Sequence, residues 1–444
     1  MKSFFKFIVL NLLRLVDTPK KLWRIGEPLF WLAGFRKPAG PERTPANVAV
    51  IKLDRLGDVV LCSHFLAGLR RAWPKTRITL FVRESLVDLA RLCPDVDEVI
   101  GAPVDKGSMM FDPQTGEYRG WKQQLAHWLL FCWRSKLWAK HFDVVLVPRW
   151  ESDRYGAVPL AYLTGAAERW GTGELASETK LVDNREFDLL LTNIVPGKID
   201  RHEFLLNNRF LQALGLDASE RPVLVSWSDR NSRKTPQDLM TAMGVTAAKP
   251  LIVLCMGAGG LVRMWPVERY AALCRRVFNF ETVQLVAFGT AEEVQLGLQL
   301  KEMLGDVVIN AEGKVPLKLL PAAVSLGSLY IGSDTGTMHL AAAAGLPVLE
   351  ISVHPLNGDR LWSESPERFG AWGVPSRIVQ PQTATAPCRE YCASGQPHCI
   401  LGVSVEEAAM ALHSLLDEMG LSALCADCKP MDGPCQKFPA VIPS

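Results

Sequence analysis

The sequence predicts an α/β protein of two domains, each an open sheet of parallel strands covered by helices. Three observations lead there. The chain is 444 residues long, more than a single hydrophobic core usually organises. Short apolar runs rich in β-branched residues alternate with helical patterns in both halves, which implies parallel strands joined by crossover helices. Two of those runs end in glycine-bearing turns that open a helix, Gly257-Ala258-Gly259-Gly260 and Gly332-Ser333-Asp334-Thr335-Gly336. In such sheets ligands bind at the carboxyl ends of the strands.

Composition narrows the function classes. The chain is 48% apolar and 22% charged, as expected of a globular protein, and 49 basic residues against 47 acidic ones give no case for a nucleic-acid partner. Eleven cysteines, an odd number, without a secretion signal argue against a complete disulfide framework and for a reducing cytosol. Cys62, Cys93, Cys132, Cys255 and Cys274 sit singly in apolar segments, as small core residues do.

The first 36 residues are separate in character. Phe4, Phe5, Ile8, Leu12, Leu15 and Val16 share one helical face, and Lys20-Lys21 precede an aromatic piece from Leu22-Trp23 to Phe30-Trp31-Leu32. The stretch is too short and too charged to span a bilayer. It predicts an amphipathic helix for an anionic membrane surface, or equally one packed on the protein's own body. Pro38 to Pro45 is expected to be a linker.

Asn47 to Leu53 is a buried strand, and Asp54-Arg55-Leu56-Gly57-Asp58 is the loop after it. The next helix carries Leu61, Phe65 and Leu69 at fourfold spacing and stops before Pro74. Asp58 therefore falls at a helix start on a strand end. A plain cap is one reading; the other is a general base, since a helix N-terminus favours the ionised carboxylate. Strands at Arg77–Val82 and Val96–Ile100 follow. Residues 105–140 interrupt the pattern with a polar loop and a helix from Trp121 to Trp138, predicted to face a membrane, a partner or a lipid-linked substrate, or to pack in the core. Phe142 to Pro148 resumes the sheet, Tyr155–Gly165 is a helix, Ala167–Gly171 opens a strand, and His202–Leu214 is an amphipathic helix. The Pro- and charge-rich stretch ending at Pro250 contains the domain boundary.

In the second half, strands at Leu251–Met256, Val283–Phe288, Val307–Ile309, Leu329–Ile331 and Leu346–Ile351 alternate with helices. The Gly257 turn with Arg263 behind it and Pro266 at the next helix's first position can cradle a phosphate, although the spacing is not the dinucleotide fingerprint. Asp334 is placed to cap the helix that Gly336 begins, whose N–H groups favour an anion. Glu292 and Glu293 lie at a third strand end, where a ribose could be held.

In order, Ile51-Lys52-Leu53-Asp54-Arg55-Leu56-Gly57-Asp58, Arg169-Trp170-Gly171, Gly257-Ala258-Gly259 with Arg263-Met264-Trp265-Pro266, and Asp334-Thr335-Gly336-Thr337-Met338-His339 resemble glycosyltransferase family 9, the bacterial lipopolysaccharide heptosyltransferases. The resemblance covers about residues 47–420 and implies a GT-B architecture, two Rossmann-like domains facing across a cleft. The implied divisions are an N-terminal segment and linker at 1–45, an acceptor-binding domain at 46–240, a nucleotide-sugar domain at 241–420 and a Cys-rich tail at 421–444.

By the same resemblance Asp58 is the catalytic base, and Gly257, Gly259, Arg263, Glu293, Asp334, Thr335, Gly336 and His339 bind the donor, typically ADP-heptose. Arg263 stands where a lysine is common; it keeps the charge and adds a bidentate grip. The implied chemistry is inverting, metal-independent transfer to a lipopolysaccharide core or other glycan acceptor, at the cytoplasmic face of the inner membrane and without a cofactor. The same fold with another sugar, with a protein acceptor, or as a non-catalytic binding protein are the alternatives. Cys388, Cys392, His398 and Cys399, with Cys425, Cys428 and Cys435, offer ligands of the kind zinc or iron takes, which leaves a structural metal or metal-free thiols open.

Overall fold

A computed structural model describes residues 16–32, 34, 44–104, 121–218, 227, 235–246 and 248–426. They fall into two compact units, one within Met1–Asp200 and Leu205–Glu220, the other within Arg201–Phe204 and Arg221–Ser444. Each holds a six-stranded, all-parallel sheet.

In the first unit the strands are β1 (Asn47–Ile51), β2 (Arg77–Arg83), β3 (Glu98–Ala102), β4 (Val144–Val147), β5 (Glu168–Thr172) and β6 (Asn193–Val195), in the order β3-β2-β1-β4-β5-β6. Val50 of β1 lies between Leu80 and Leu146. Parallel strands are covered on both faces, so β1 and β4 are unbroken apolar runs rather than alternating ones. Such side chains contribute about 1.5–3 kcal/mol each on full burial. The strand β6 escaped the sequence reading because it is short, lies at the sheet edge and pairs with β5 alone.

Helices cover this sheet. Helix α1 (Pro19–Leu32) buries Leu22 and Gly26, sets Phe30 edge-on to Tyr162 at 5.6 Å, and is tied to the body by Glu27, which pairs with the buried Arg169 at 2.9 Å. Arg169 also donates to the carbonyls of Ala166 and Leu190, so it is a structural clamp. The body-packed reading holds for one face of α1; Trp23, Leu29, Trp31 and Leu32 on it point outward. The predicted face made by Phe4 to Leu15 lies outside the described residues. After β1 the chain forms α2 (Leu56–Leu61) and α3 (Ser63–Ala72), one run bent at Cys62, and the Leu61, Phe65, Leu69 stripe is fully buried. Helix α4 (Trp121–Arg134) ends earlier than expected, because Lys136 adopts a left-handed conformation and a short turn follows at Leu137–Ala139. Leu125, Trp128 and Cys132 of α4 are core residues. Helix α5 (Ala157–Leu163) is buried along its whole length.

Helix α6 (Glu203–Ala213) carries Phe210 against Phe65 in the first unit, while Arg201–Phe204 group with the second. Helix α7 (Pro236–Ala242) opens with a capping box from Thr235 and Asp238.

The second unit contains β7 (Leu251–Cys255), β8 (Gln284–Ala287), β9 (Val308–Asn310), β10 (Leu329–Gly332), β11 (Val348–Ile351) and β12 (Ser376–Val379), ordered β12-β11-β10-β7-β8-β9. Numbered from its own first strand, this sheet has the same 3-2-1-4-5-6 order as the first, the doubly wound arrangement of mononucleotide-binding folds. Helices α8 (Val267–Val277), α9 (Val294–Leu304), α10 (Leu320–Val324), α11 (Gly336–Ala343) and α12 (Val405–Glu418) cover it. Pro266 is the N-cap of α8 rather than its first residue. The edge strand β12 was missed because Ser376 and Arg377 interrupt its apolar run.

Candidate functional site

The two strand-end motifs of the second unit meet. β7 ends at Cys255 and gives way to Gly257, while its neighbour β10 ends at Gly332 and gives way to Ser333-Asp334. Arg263, in a short turn after the glycines, donates through Nη2 to the Asp334 carboxylate at 2.8 Å and also to the Asp334 carbonyl. Ser333 Oγ donates back to the Arg263 carbonyl at 3.1 Å. His339 Nε2 lies 3.4 Å from the other Asp334 oxygen. Burial opposes ionisation of Asp334, yet Arg263 and His339 outweigh it and hold the carboxyl below its usual range.

One expectation is corrected here. Asp334 does not cap α11; Thr335, in extended conformation, is the N-cap residue and makes no side-chain cap bond. The Asp334 side chain is instead drawn to the guanidinium. Thr335 Oγ1 sits 3.2 Å from the Tyr330 hydroxyl, which donates to the Ser333 carbonyl at 3.0 Å, so the turn is fixed from below. Gly336 is the first residue of α11 and leaves the helix mouth without a side chain.

Glu293 joins the same strand ends. Its carboxylate accepts from Thr290 N–H at 2.6 Å, and a Cβ at Gly257 would collide with it, which is why that position is glycine. Gly259, two residues on, is exposed. Behind Glu293 stands Glu312, which accepts from Gly297 N–H at 2.8 Å; burial first, and then the Glu293 charge, push its carboxyl up to about 7.

Several residues here carried no local sequence signal. Glu350, at the end of β11 opposite Gly332, is fully buried, and burial together with the negative Asp334 drives its carboxyl well above the usual range. His202 Nδ1 accepts from Phe204 N–H at 3.1 Å, so Nε2 carries the proton and donates to Gly370 O at 3.0 Å. Burial, with His339 and Arg368 adding to it, lowers His202 to about 3. Trp372 stacks on Phe204 and lies tilted against His202, and the buried Arg368–Glu203 pair at 3.1 Å holds that segment. Arg263, Ser333, Asp334, Ile351, Ser352, Val353 and Glu364 line a narrow recess too tight to admit a water molecule. A wider, open groove of about 570 Å³ beside Arg275, Arg276 and Glu406 contains none of the motif residues.

Asp58 belongs to the first unit. It is half-buried in the first turn of α2. The loop before it is pinned by an ion triad: Asp54 pairs with Lys52 at 3.3 Å and with Arg149 from the end of β4. Lys52 also donates to Pro148 O at 3.0 Å. Arg83, from the end of β2, donates to Asp54 O at 2.9 Å, and both Arg83 and Arg149 lie over the Tyr155 ring. Sequence reasoning quoted Lys52 and Asp54 without seeing that they, with Arg149, build the platform for Asp58.

The Cys-rich region divides. Cys388, Cys392, His398 and Cys399 place one ligand atom each within 4.8 Å of one another. Cys425 lies instead beside His413 of α12, Sγ to Nδ1 at 3.5 Å, and Cys428 and Cys435 fall outside the described residues.

Two doubly wound units of parallel strands, with glycine-bearing turns at the strand ends of the second, have the GT-B class of fold. Comparison with known proteins refines the class. Residues 183–397 match the family model for glycosyltransferase family 9 (heptosyltransferase). The chain is 22% identical over 384 residues to lipopolysaccharide heptosyltransferase 2 of Salmonella typhimurium, spanning 84% of this chain and all of that one. Its fold matches the crystal structure of a family 9 glycosyl transferase from Veillonella parvula with a TM-score of 0.63, at 21% identity over 84% of this chain and 97% of that one. The E. coli ADP-heptose lipopolysaccharide heptosyltransferase II matches with a TM-score of 0.58, at 16% identity over 84% and 99%. Over residues 183–397 the chain is similar to glycosyltransferase family 9.

Proposed function

We propose that the protein is an inverting glycosyltransferase that moves a heptose from ADP-heptose to a lipopolysaccharide core acceptor. The observation that carries this reading is the joining of Arg263, Asp334 and His339 at adjacent strand ends, beside the Gly257 turn and Glu293. The names of the Salmonella and E. coli relatives support the sugar and the acceptor.

The donor belongs to the C-terminal domain, residues 241–420. Arg263 spends Nη2 on Asp334 and keeps its remaining N–H groups for the diphosphate, with Asp334 fixing the plane of the guanidinium. The backbone N–H groups of Thr335 and Gly336 at the mouth of α11, with Gly257 and Gly259, receive the phosphate oxygens. Glu293 accepts from the ribose hydroxyls. As the glycosidic bond breaks, negative charge grows on the leaving diphosphate, and these fixed cations and dipoles stabilise it. This transfer assigns no step to a metal ion or to the thiols.

The acceptor belongs to the N-terminal domain, residues 46–240. Asp58 takes the proton from the attacking hydroxyl, kept ionised by its place in the first turn of α2. Attack from the face opposite the leaving group inverts the anomeric centre. The outward Trp23, Leu29, Trp31 and Leu32 of α1, with Lys20, Lys21 and Arg24, suit an anionic inner-membrane surface on the cytoplasmic side, where this acceptor would be met. No described helix is long and apolar enough to cross a membrane.

The test is a panel of nucleotide sugars offered to the purified protein with core-truncated lipopolysaccharide, scored by product mass. Addition of one heptose from ADP-heptose alone is expected. Transfer from another donor with none from ADP-heptose overturns the assignment.

A further inference from the structure

We propose that Cys388, Cys392, His398 and Cys399 form a closed four-ligand site for one zinc ion, and that this ion braces a wall of the donor recess. The four residues lie between β12 and α12 and come from a stretch of twelve residues, yet their ligand atoms converge within 4.8 Å. Cys388 Sγ and Cys399 Sγ stand 3.7 and 3.6 Å from His398 Nδ1. A tetrahedral zinc with bonds of about 2.3 Å to sulfur and about 2.05 Å to nitrogen separates those ligands by about 3.6 Å. Those two separations are therefore those of neighbouring ligands in a coordination shell.

The surroundings fit the same chemistry. Thiolates at a metal accept backbone N–H bonds that orient them and offset their charge. Ala393 N–H points to Cys388 Sγ at 3.2 Å, and Thr385 N–H to Cys399 Sγ at 3.4 Å. Cys399 is buried, and Cys388 and Cys392 pack against the core of the second unit. Three sulfurs and one imidazole make a Cys3His set, which zinc takes as a closed structural site without an open catalytic position.

The ligand loop also holds the segment that follows β11. Tyr391, between Cys388 and Cys392, stacks on Trp362 at 3.8 Å with the rings 7° from parallel. Glu390 O accepts from Asp359 N–H at 3.2 Å, and Gly358 lies flat against the Glu390 carbonyl and the His354 ring. Ser352, Val353 and Glu364, on either side of that segment, line the recess with Arg263 and Asp334. An ion that fixes Glu390 and Tyr391 fixes this wall. This second half rests on the transferase reading; the metal site does not.

The test starts with elemental analysis of the full chain as purified, followed by replacement of the bound ion with cobalt(II). One zinc per chain is expected, and the cobalt form should show thiolate charge-transfer and tetrahedral ligand-field bands. Cys392→Ser should lower zinc occupancy at least about ten-fold, the scale of a damaged metal site, while His398→Cys should keep the ion in a four-sulfur set. Chelated protein and Cys392→Ser should bind ADP about five-fold more weakly, the scale of one lost contact. Thiols that all react freely in metal-free, fully folded protein, or a disulfide within the cluster, overturn the site. Iron at one per chain overturns the choice of zinc. A bound ion whose removal leaves ADP affinity unchanged overturns the bracing of the recess.

Discussion

The two sheets share a strand order and use it differently. At the strand ends of the first unit, Asp54 is shared by the buried Lys52 and the partly buried Arg149, and Asp58 follows the loop they fix. At the strand ends of the second, Arg263 and Asp334 form a pair that is 16% exposed on each side and opens on a recess. The triad holds a backbone in place. A pair at a recess can trade part of its hydrogen bonding for an anion. On the proposed reading, one topology supplies a platform for a base in one unit and a cradle for an anion in the other.

Substitutions can break that contrast. The largest effect is expected at Asp58→Asn, which should reduce turnover by about 10²- to 10⁴-fold, the range for a lost general base, with unchanged thermal stability. Four residues earlier the outcome reverses. Asp54→Ala removes the shared partner of Lys52 and Arg149 and should destabilise the fold by about 3–5 kcal/mol in a denaturant titration. If Asp54→Ala left stability intact and removed only activity, the platform description would fail.

Arg263→Ala is expected to weaken ADP binding by about 10- to 100-fold, corresponding to charge-assisted bonds of about 1.5–3 kcal/mol. Arg263→Lys should fall between that variant and wild type in calorimetry, since it keeps the charge and loses the fork.

The smallest effect is a pH dependence. Glu312, raised in the folded state to about 7 from 4.5, binds its proton more tightly folded than unfolded. Its stabilising contribution is full below about 4.5 and is lost as pH rises through about 7. Glu312→Gln should therefore melt above wild type at pH 8 and lose that advantage at pH 5. An advantage of equal size at both values would separate the effect from titration.

The strands and turns that carry the motifs were legible because central parallel strands are unbroken apolar runs, and the glycines after β7 and β10 mark where each stops. The grouping of Cys388, Cys392, His398 and Cys399 was legible because they are close in sequence. Asp334 was misplaced as a cap, since propensity at a helix start says nothing of a guanidinium 71 residues away. His202, Glu203, Arg368 and Trp372 gave no signal for the same reason: the Arg368–Glu203 pair spans 165 residues. Glu350, inside an apolar strand, becomes noticeable only when Asp334 is beside it.

The division of labour is tested most directly by the anomeric configuration of the transferred sugar, read by NMR on the isolated product. A single displacement, with Asp58 deprotonating the acceptor and Arg263 holding the departing diphosphate, predicts inversion relative to the donor. Retention would require two displacements and would contradict Asp58 as the base of a one-step transfer.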